Sequence, residues 1–223
     1  MKFKRMYELG PRLSTVAELI PYGSRIADIG TDHAYLPIWL AVYDRIQSAI
    51  AADINPLPLK NAEENIIKYE MTDRIKLCLC DGLRGIPMNE IDTVVIAGMG
   101  GETIADILSA VEPCSIKFIL QPMTNAVRLR SWLYRNGFRI NRELLAREGS
   151  RIYPVMEVFC GSDENDLSDP IYERASRALI ESESEYKNDY LAKIIRSVEK
   201  EAKSGINTEE LLRMAEQLRN LVK

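Results

Sequence analysis

Five short apolar runs, each set against a stretch of helical spacing, constrain this chain more than any other feature. The runs fall at 26–29, 48–53, 75–80, 92–97 and 116–120, and the helical spacing lies near 36–44, 57–69, 101–110 and 125–136. The last three runs are almost unbroken: Ile75-Lys-Leu-Cys-Leu-Cys80, Thr93-Val-Val-Ile-Ala97 and Lys117-Phe-Ile-Leu120. Strands covered on both faces read this way. Strand and helix in alternation imply a parallel sheet with helices on either side. Two further strand-like segments, 137–145 and 153–159, are separated by a turn at Gly149 with no room for a helix, so they should form an antiparallel hairpin on the sheet edge. The expected fold is α/β, with a mostly parallel seven-stranded sheet.

Residues 161–170 are polar and turn-rich, which places a linker there and divides the chain into 1–161 and 162–223. Beyond it the pattern is helical. Tyr172, Ala175, Leu179, Ser182 and Tyr186 are spaced three and four apart, and Tyr190, Ile194 and Val198 continue the stripe. Gly205 interrupts it as a C-cap, Asn207 and Glu210 restart it as a capping box, and Leu211, Ala215, Leu218 and Val222 form a second stripe. A two-helix antiparallel hairpin is the simplest solution. It is either a structural appendage or a clamp for a partner or RNA. The polar linker implies that a chain ending near 161 would fold alone.

Charge is unevenly spread. The net charge of −4 lies entirely in the tail: residues 1–161 hold 19 basic and 19 acidic residues, and 162–223 hold 10 and 14. Residues 123–151 contain seven arginines against Glu143 and Glu148 alone, and Lys2, Lys4, Arg5 and Arg12 add a second basic segment. Such local concentrations permit contact with nucleic acid although the whole chain is acidic. The arginines at 128, 130 and 135 share one helix, where they are either a solvated face or phosphate contacts. Four cysteines lie in or beside apolar runs and read as buried free thiols of a cytosolic protein. Cys78-x-Cys80 is not a zinc spacing, and one histidine cannot build a multi-histidine metal site. No apolar run approaches the ~20 residues of a membrane span, and the first residues lack the apolar core of a signal peptide.

The chemistry concentrates at the strand ends. Ile26-Ala-Asp28-Ile-Gly30-Thr-Asp32-His33-Ala-Tyr35-Leu-Pro37 is a strand that turns on a glycine into a helix. Glycine permits close backbone approach, and the helix start offers free N–H groups. The pattern is not G-x-G-x-x-G, so it does not suit a dinucleotide pyrophosphate. The acid-x-glycine form suits a ligand with an ammonium group, such as S-adenosylmethionine. The second run ends in Asp53, which can accept both hydroxyls of a ribose. The third ends in Asp81-Gly82, where an acid can receive an adenine amino group. The fourth ends in Ala97-Gly98-Met99-Gly100-Gly101. Open α/β sheets bind ligands along this carboxyl edge. The glycine loop is either a flexible turn or a place where backbone carbonyls meet a target amine. His33 is either a capping residue or a ligand contact, and Tyr35 either packs or stacks on a base. Trp39 and Trp132 fall on apolar helix faces and read as core.

Taken together, Leu13-Ser-Thr-Val-Ala17, Gly30-Thr-Asp-His-Ala-Tyr-Leu-Pro37, Asp81-Gly-Leu83, Ile96-Ala-Gly-Met-Gly-Gly101 and Leu120-Gln-Pro122 resemble the bacterial tRNA (adenine(22)-N1)-methyltransferase family. The similarity runs on through Arg130-Ser-Trp-Leu133 to Tyr153, and more weakly into the tail. The resemblance implies a Rossmann-like class I methyltransferase with a C-terminal α-helical coiled-coil hairpin. It implies S-adenosylmethionine as methyl donor and a D-arm adenine of tRNA as target. Arg12, Asp28, Gly30, His33, Asp53, Asp81, Gly82 and Ala97 would then hold the cofactor. Asp32 and the carbonyls of Gly98 and Met99 would face the reacting base, and Lys4, Arg5, Tyr35, Arg128, Arg130 and Arg135 would meet RNA. A cytoplasmic monomer without metal is expected. Two other readings are a methyltransferase of the same fold acting on a small molecule or protein amine, and a silent adaptor that binds S-adenosylmethionine or RNA.

Overall fold

The computed structural model describes residues 7–112, 114–161 and 169–222. Most of the expected linker, with Lys4 and Arg5, lies outside these residues. Nine residues before the first expected strand already form a helix, α1 (Pro11–Leu19), with proline at its start where a missing N–H costs nothing. Then follow β1 (Ser24–Ile29), α2 (Tyr35–Val42), β2 (Ile46–Asp53), α3 (Pro56–Lys68), β3 (Ile75–Leu79), β4 (Thr93–Gly100), α4 (Gly101–Leu108), β5 (Lys117–Thr124) and α5 (Ala126–Arg135). The hairpin β6 (Phe138–Glu148) and β7 (Arg151–Cys160) completes one seven-stranded sheet, in the order β3-β2-β1-β4-β5-β7-β6. The first five strands run parallel, and β7 is antiparallel to both β5 and β6.

Neighbouring side chains on a strand point to opposite faces, and each central strand here feeds two cores. Ala27, Val94, Ile96, Phe118 and Leu120 pack with Ile104 and Leu108 of α4 and Leu129 and Leu133 of α5. Ile26, Val95 and Ile119 pack with Val16 and Leu19 of α1, Leu36 and Leu40 of α2, and Ile66 of α3. Trp132 and Trp39 rest against these two cores from half-buried positions. The cysteines are free and only half-buried, not fully buried as expected, with Cys114 and Cys160 sulfurs 3.4 Å apart. Gly101 opens α4 where a Cβ would fall 2.5 Å from the Asn125 carbonyl oxygen. Glycine therefore lets α4 start against the end of β5.

The tail departs from a simple hairpin. Its first stripe is broken at Ala175 and Ser182, both extended, giving α6 (Ile171–Arg174) and α7 (Arg177–Glu181) before α8 (Lys187–Ala202). Among the described residues, α8 and α9 (Thr208–Leu221) pair as the expected two helices. The Asn207 capping box does not form: Asn207 is left-handed, at φ 52°, and its side chain makes no cap bond. The tail's apolar faces do not close on themselves. Leu191, Ile195, Ala215 and Leu218 share a core with Leu145 of β6, and Ile152 of β7 packs against it. Among the described residues no helix is long and apolar enough to cross a membrane.

Candidate functional site

The carboxyl edge of the parallel strands is where the expected acids gather. Gly30 follows β1 at φ 77°, and the Gly30 and Thr31 N–H groups donate to the Ala52 carbonyl at 2.8 and 3.0 Å. The first turn is thus tied to the neighbouring strand. A Cβ on Gly30 would fall 2.0 Å from the Met99 methyl, so the glycine-rich loop of β4 lies directly over the turn of β1. A cavity of about 360 Å3 opens beside this contact, lined by Gly30, Asp53, Asp81, Gly82, Met99 and Thr103 among others. Four endings expected to cooperate therefore meet in one hollow of a size that holds a small molecule.

Each acid has a distinct setting. Asp28 is buried in the central strand, and that burial pushes its carboxyl up to about 6, against a lowering hydrogen bond from the Thr31 side chain. Asp53 accepts the Asn55 N–H at 2.7 Å, which fixes one carboxylate oxygen and leaves the other for a ligand. Asp81 stays exposed, 3.2 Å from Arg84. Asp32 is also exposed and lies 3.2 Å from His33 Nε2. His33 in turn stacks on Tyr35 at 5.0 Å between ring centroids.

The Gly98–Met99 loop is a bulge in β4. Ala97 pairs with Gln121 and Met99 with Pro122, so Gly98 has no partner in the ladder. Its N–H donates instead to Gln121 Oε1 at 3.0 Å, and Arg12 Nη1 donates to the same oxygen at 2.9 Å. The Gln121 amide donates onward to the Pro122 carbonyl. A wholly buried glutamine thus fixes the loop that faces the cavity. Sequence reading held Gln121 only as part of a motif; its role comes from the bulge, which no periodicity announces. Thr31 and Thr103 were likewise missed.

The family described as "Methyltransferase domain" matches residues 9–156. The tRNA (adenine(22)-N(1))-methyltransferase of Bacillus subtilis is 38% identical over 157 residues, 69% of this chain and 66% of that protein. The crystal structure of the B. subtilis m1A22 tRNA methyltransferase superposes with a TM-score of 0.82 at 28% identity, covering 97% of this chain and 99% of that one. The chain belongs to the tRNA (adenine(22)-N1)-methyltransferase family. M. capricolum TrmK, solved with S-adenosyl-homocysteine, gives a TM-score of 0.81 at 29% identity over 97% of this chain and all of that one. The sequence match thus spans about two thirds of the B. subtilis relative, whereas the structural matches take in the helical tail.

Within this methyltransferase fold the site residues divide. Gly30, Asp53, Asp81, Gly82 and Met99 line the cavity. Asp28 in β1, Asp32 and His33 in the turn after it, Ala97 and Gly98 at the bulge, and Arg12 on α1 are not among its lining residues. Arg12 reaches the site through Gln121 and also lies 3.5 Å from Glu148. Arg130 requires a correction. It is completely buried, so no phosphate can reach it. Its Nε and Nη2 hold the Glu143 carboxylate at 3.1 and 2.5 Å, Nη1 donates to the Arg174 carbonyl, and Nη2 also donates to the Tyr190 hydroxyl. Burial alone would push the Arg130 guanidinium down, but the adjacent Glu143 carboxylate outweighs it and holds the group above the usual arginine range. Arg128 and Arg135 remain exposed, yet pair with Glu102 at 2.6 Å and Glu173 at 2.7 Å. Arg147 pairs with Asp189. Arg130, Arg135 and Arg147 therefore face the tail, whereas Arg128 does not. Among the described residues, no cluster of three or more His, Cys, Asp or Glu could hold a metal ion.

Asp53→Ala is expected to weaken S-adenosylmethionine binding by about 1.5–3 kcal/mol, the range for a hydrogen bond to a charged group. Calorimetry showing less than a tenfold loss would remove the ribose role.

Proposed function

We propose that this chain transfers the methyl group of S-adenosylmethionine to N1 of the adenine at position 22 in the D-arm of tRNA. The observation that carries the reading is the meeting of Gly30, Asp53, Asp81 and Met99 in one cavity against a bulged loop pinned by Gln121. Asp53 would hold the ribose, Asp81 the adenine amino group, and the turn at Gly30 the amino-acid part. The bound donor supplies an electrophilic methyl group. Adenine N1 already has a lone pair, so no base is needed to deprotonate it. The protein's part is alignment, which is worth up to ~7–11 kcal/mol in favourable cases. Asp32 and the carbonyls around Gly98 and Met99 face the positive charge that develops on the base. The N1 edge is occupied in folded tRNA, so the base must be turned out.

Residues 1–161 supply the methyltransferase unit, and 162–223 orient the tRNA upon it. The chain acts as a monomer in the cytoplasm. Labelled methyl transfer to unmodified tRNA, followed by nucleoside analysis, tests the proposal. N1-methyladenosine at a single D-arm position is expected. Transfer only to protein or small amines would overturn the RNA reading, and cofactor binding without turnover on any RNA would favour an adaptor.

Arg128 and Arg135 are the members of the arginine helix that remain able to meet phosphate. Replacing both with glutamine is expected to lower the salt slope of tRNA binding by about two, roughly one for each phosphate no longer neutralised. Cofactor affinity should not move. An unchanged slope would leave them as ion-pair partners of Glu102 and Glu173 only.

A further inference from the structure

A second cavity, of about 350 Å3, opens between the start of α1, the start of α2 and the end of α3. Three tyrosines from distant parts of the chain line it. Tyr7 stands between the other two, its ring centroid 5.0 Å from Tyr35 and 5.7 Å from Tyr69, inclined at 64° and 83°. The Tyr7 hydroxyl donates to the Tyr35 carbonyl at 2.5 Å, which fixes the segment before α1 onto the start of α2. Tyr35 nevertheless remains 44% exposed. Its ring meets the edge of Tyr7 and stacks on His33, and still reaches solvent, so it is not core. Lys68 supplies a cation at the rim, its Nζ 5.4 Å from the Tyr69 ring centroid, and Glu8 a single opposing charge. The cavity is coupled to the strand-edge site. His33, in the turn after β1, stacks on Tyr35, and the Asn65 amide at the cavity wall donates to the His33 carbonyl at 3.1 Å.

We propose that this tyrosine pocket receives a nucleobase adjacent to the methylated adenine, packed against Tyr69 and the exposed rim of Tyr35 with its phosphate toward Lys68. The inference rests on the tRNA reading above and extends it to a second nucleotide. Turning a base out of a stem breaks its stacking on a neighbour. Aromatic faces restore that stacking without regard to base identity, and one cation suits a phosphodiester. The pocket has the volume for one nucleoside and none for a duplex. Its position beside His33 places it next to the turn that faces the reaction.

The test uses the full chain with Tyr69→Ala and Tyr69→Phe. Tyr69→Ala is expected to raise the tRNA KM about five- to a hundredfold, the range of a lost base stack. The kcat at saturating tRNA and the affinity for S-adenosylhomocysteine should stay as in the wild type. Tyr69→Phe keeps the ring and should stay close to wild type. A wild-type KM in Tyr69→Ala, or a Tyr69→Phe as weak as Tyr69→Ala, overturns the stacking pocket. Should Tyr69→Ala fold poorly, the wild-type protein decides. With S-adenosylhomocysteine filling the strand-edge site, titrated adenosine monophosphate should shift the ring resonances of Tyr35 and Tyr69; unmoved resonances overturn the proposal. A wild-type enzyme that does not methylate tRNA would defeat the tRNA reading separately, while this titration still reports on the pocket.

Discussion

Glu143→Ala should destabilise the protein by about 3–5 kcal/mol, the usual effect of leaving a buried charge without its partner. Arg130 would keep its full charge, completely enclosed, with only the Arg174 carbonyl and Tyr190 hydroxyl to face it. For a chain of this size the melting temperature should fall by roughly 10 °C. The double variant Arg130→Met, Glu143→Leu removes both charges while keeping volume, and should recover most of the loss. Equal melting temperatures for wild type and Glu143→Ala would show that the pair is not the junction described. The same junction bears on the stability of a chain that ends near 161. Such a truncation removes Arg174 and Tyr190 and bares Leu145 and Ile152, which share the tail's core. It should unfold at a lower denaturant concentration than the full chain, and before its cofactor affinity can be compared fairly.

Asp28→Asn should show a loss of cofactor affinity that depends on pH. Burial holds the Asp28 carboxyl at about 6 in the folded protein without cofactor, above its ordinary value of 3.8. The folded chain therefore binds a proton between these values that the unfolded chain has released. Without cofactor, stability contributed by this group is present below pH 3.8 and is lost as pH rises through about 6. An amide at this position does not titrate, so the Asp28→Asn variant without cofactor should be the more stable protein above about pH 6. Binding has the opposite sense. An ammonium-bearing donor prefers ionised Asp28, so wild-type affinity should rise as pH increases through about 6, with protons released on binding below it. The variant should bind about 1.5–3 kcal/mol more weakly at neutral pH and lack that rise. Calorimetry in buffers of different ionisation enthalpy reads both effects. Identical pH profiles for the two proteins would detach Asp28 from the site.

Some of this molecule is legible in its sequence and some is hidden there. The β/α alternation is legible because strands buried on both faces must be almost wholly apolar, as 92–97 and 116–120 are; 75–80 is as apolar, but β3 is the edge strand and leaves Leu79 exposed, so there the expectation of two covered faces fails. The strand-end acids are legible because parallel sheets present ligands at one edge. By contrast, α1 is short and its apolar face is a few residues, so only its motif drew attention. The tail's first stripe keeps helical spacing through Ser182, where the backbone is extended; spacing alone cannot register a break that preserves phase. The arginine-rich segment misleads for another reason. Its carboxylates at Glu173 and Asp189 lie some 40 residues downstream, 38 from Arg135 and 42 from Arg147, so a local count sees unpaired positive charge where the fold makes ion pairs. Gln121 is silent for a similar cause, since its meaning depends on a bulge one strand away.

The enclosed Arg130 junction has a consequence for how a large substrate must be accommodated. One guanidinium bonds α5's own strand neighbour, the end of α6 and a tyrosine of α8 at once. A hinge between sheet and tail would have to rupture the bonds to Arg174 and Tyr190 inside a fully buried junction. The two halves should therefore behave as a fixed jig. The deformation that turns the adenine outward then falls on the nucleic acid, and D-arms that are already loosely stacked should be the better substrates.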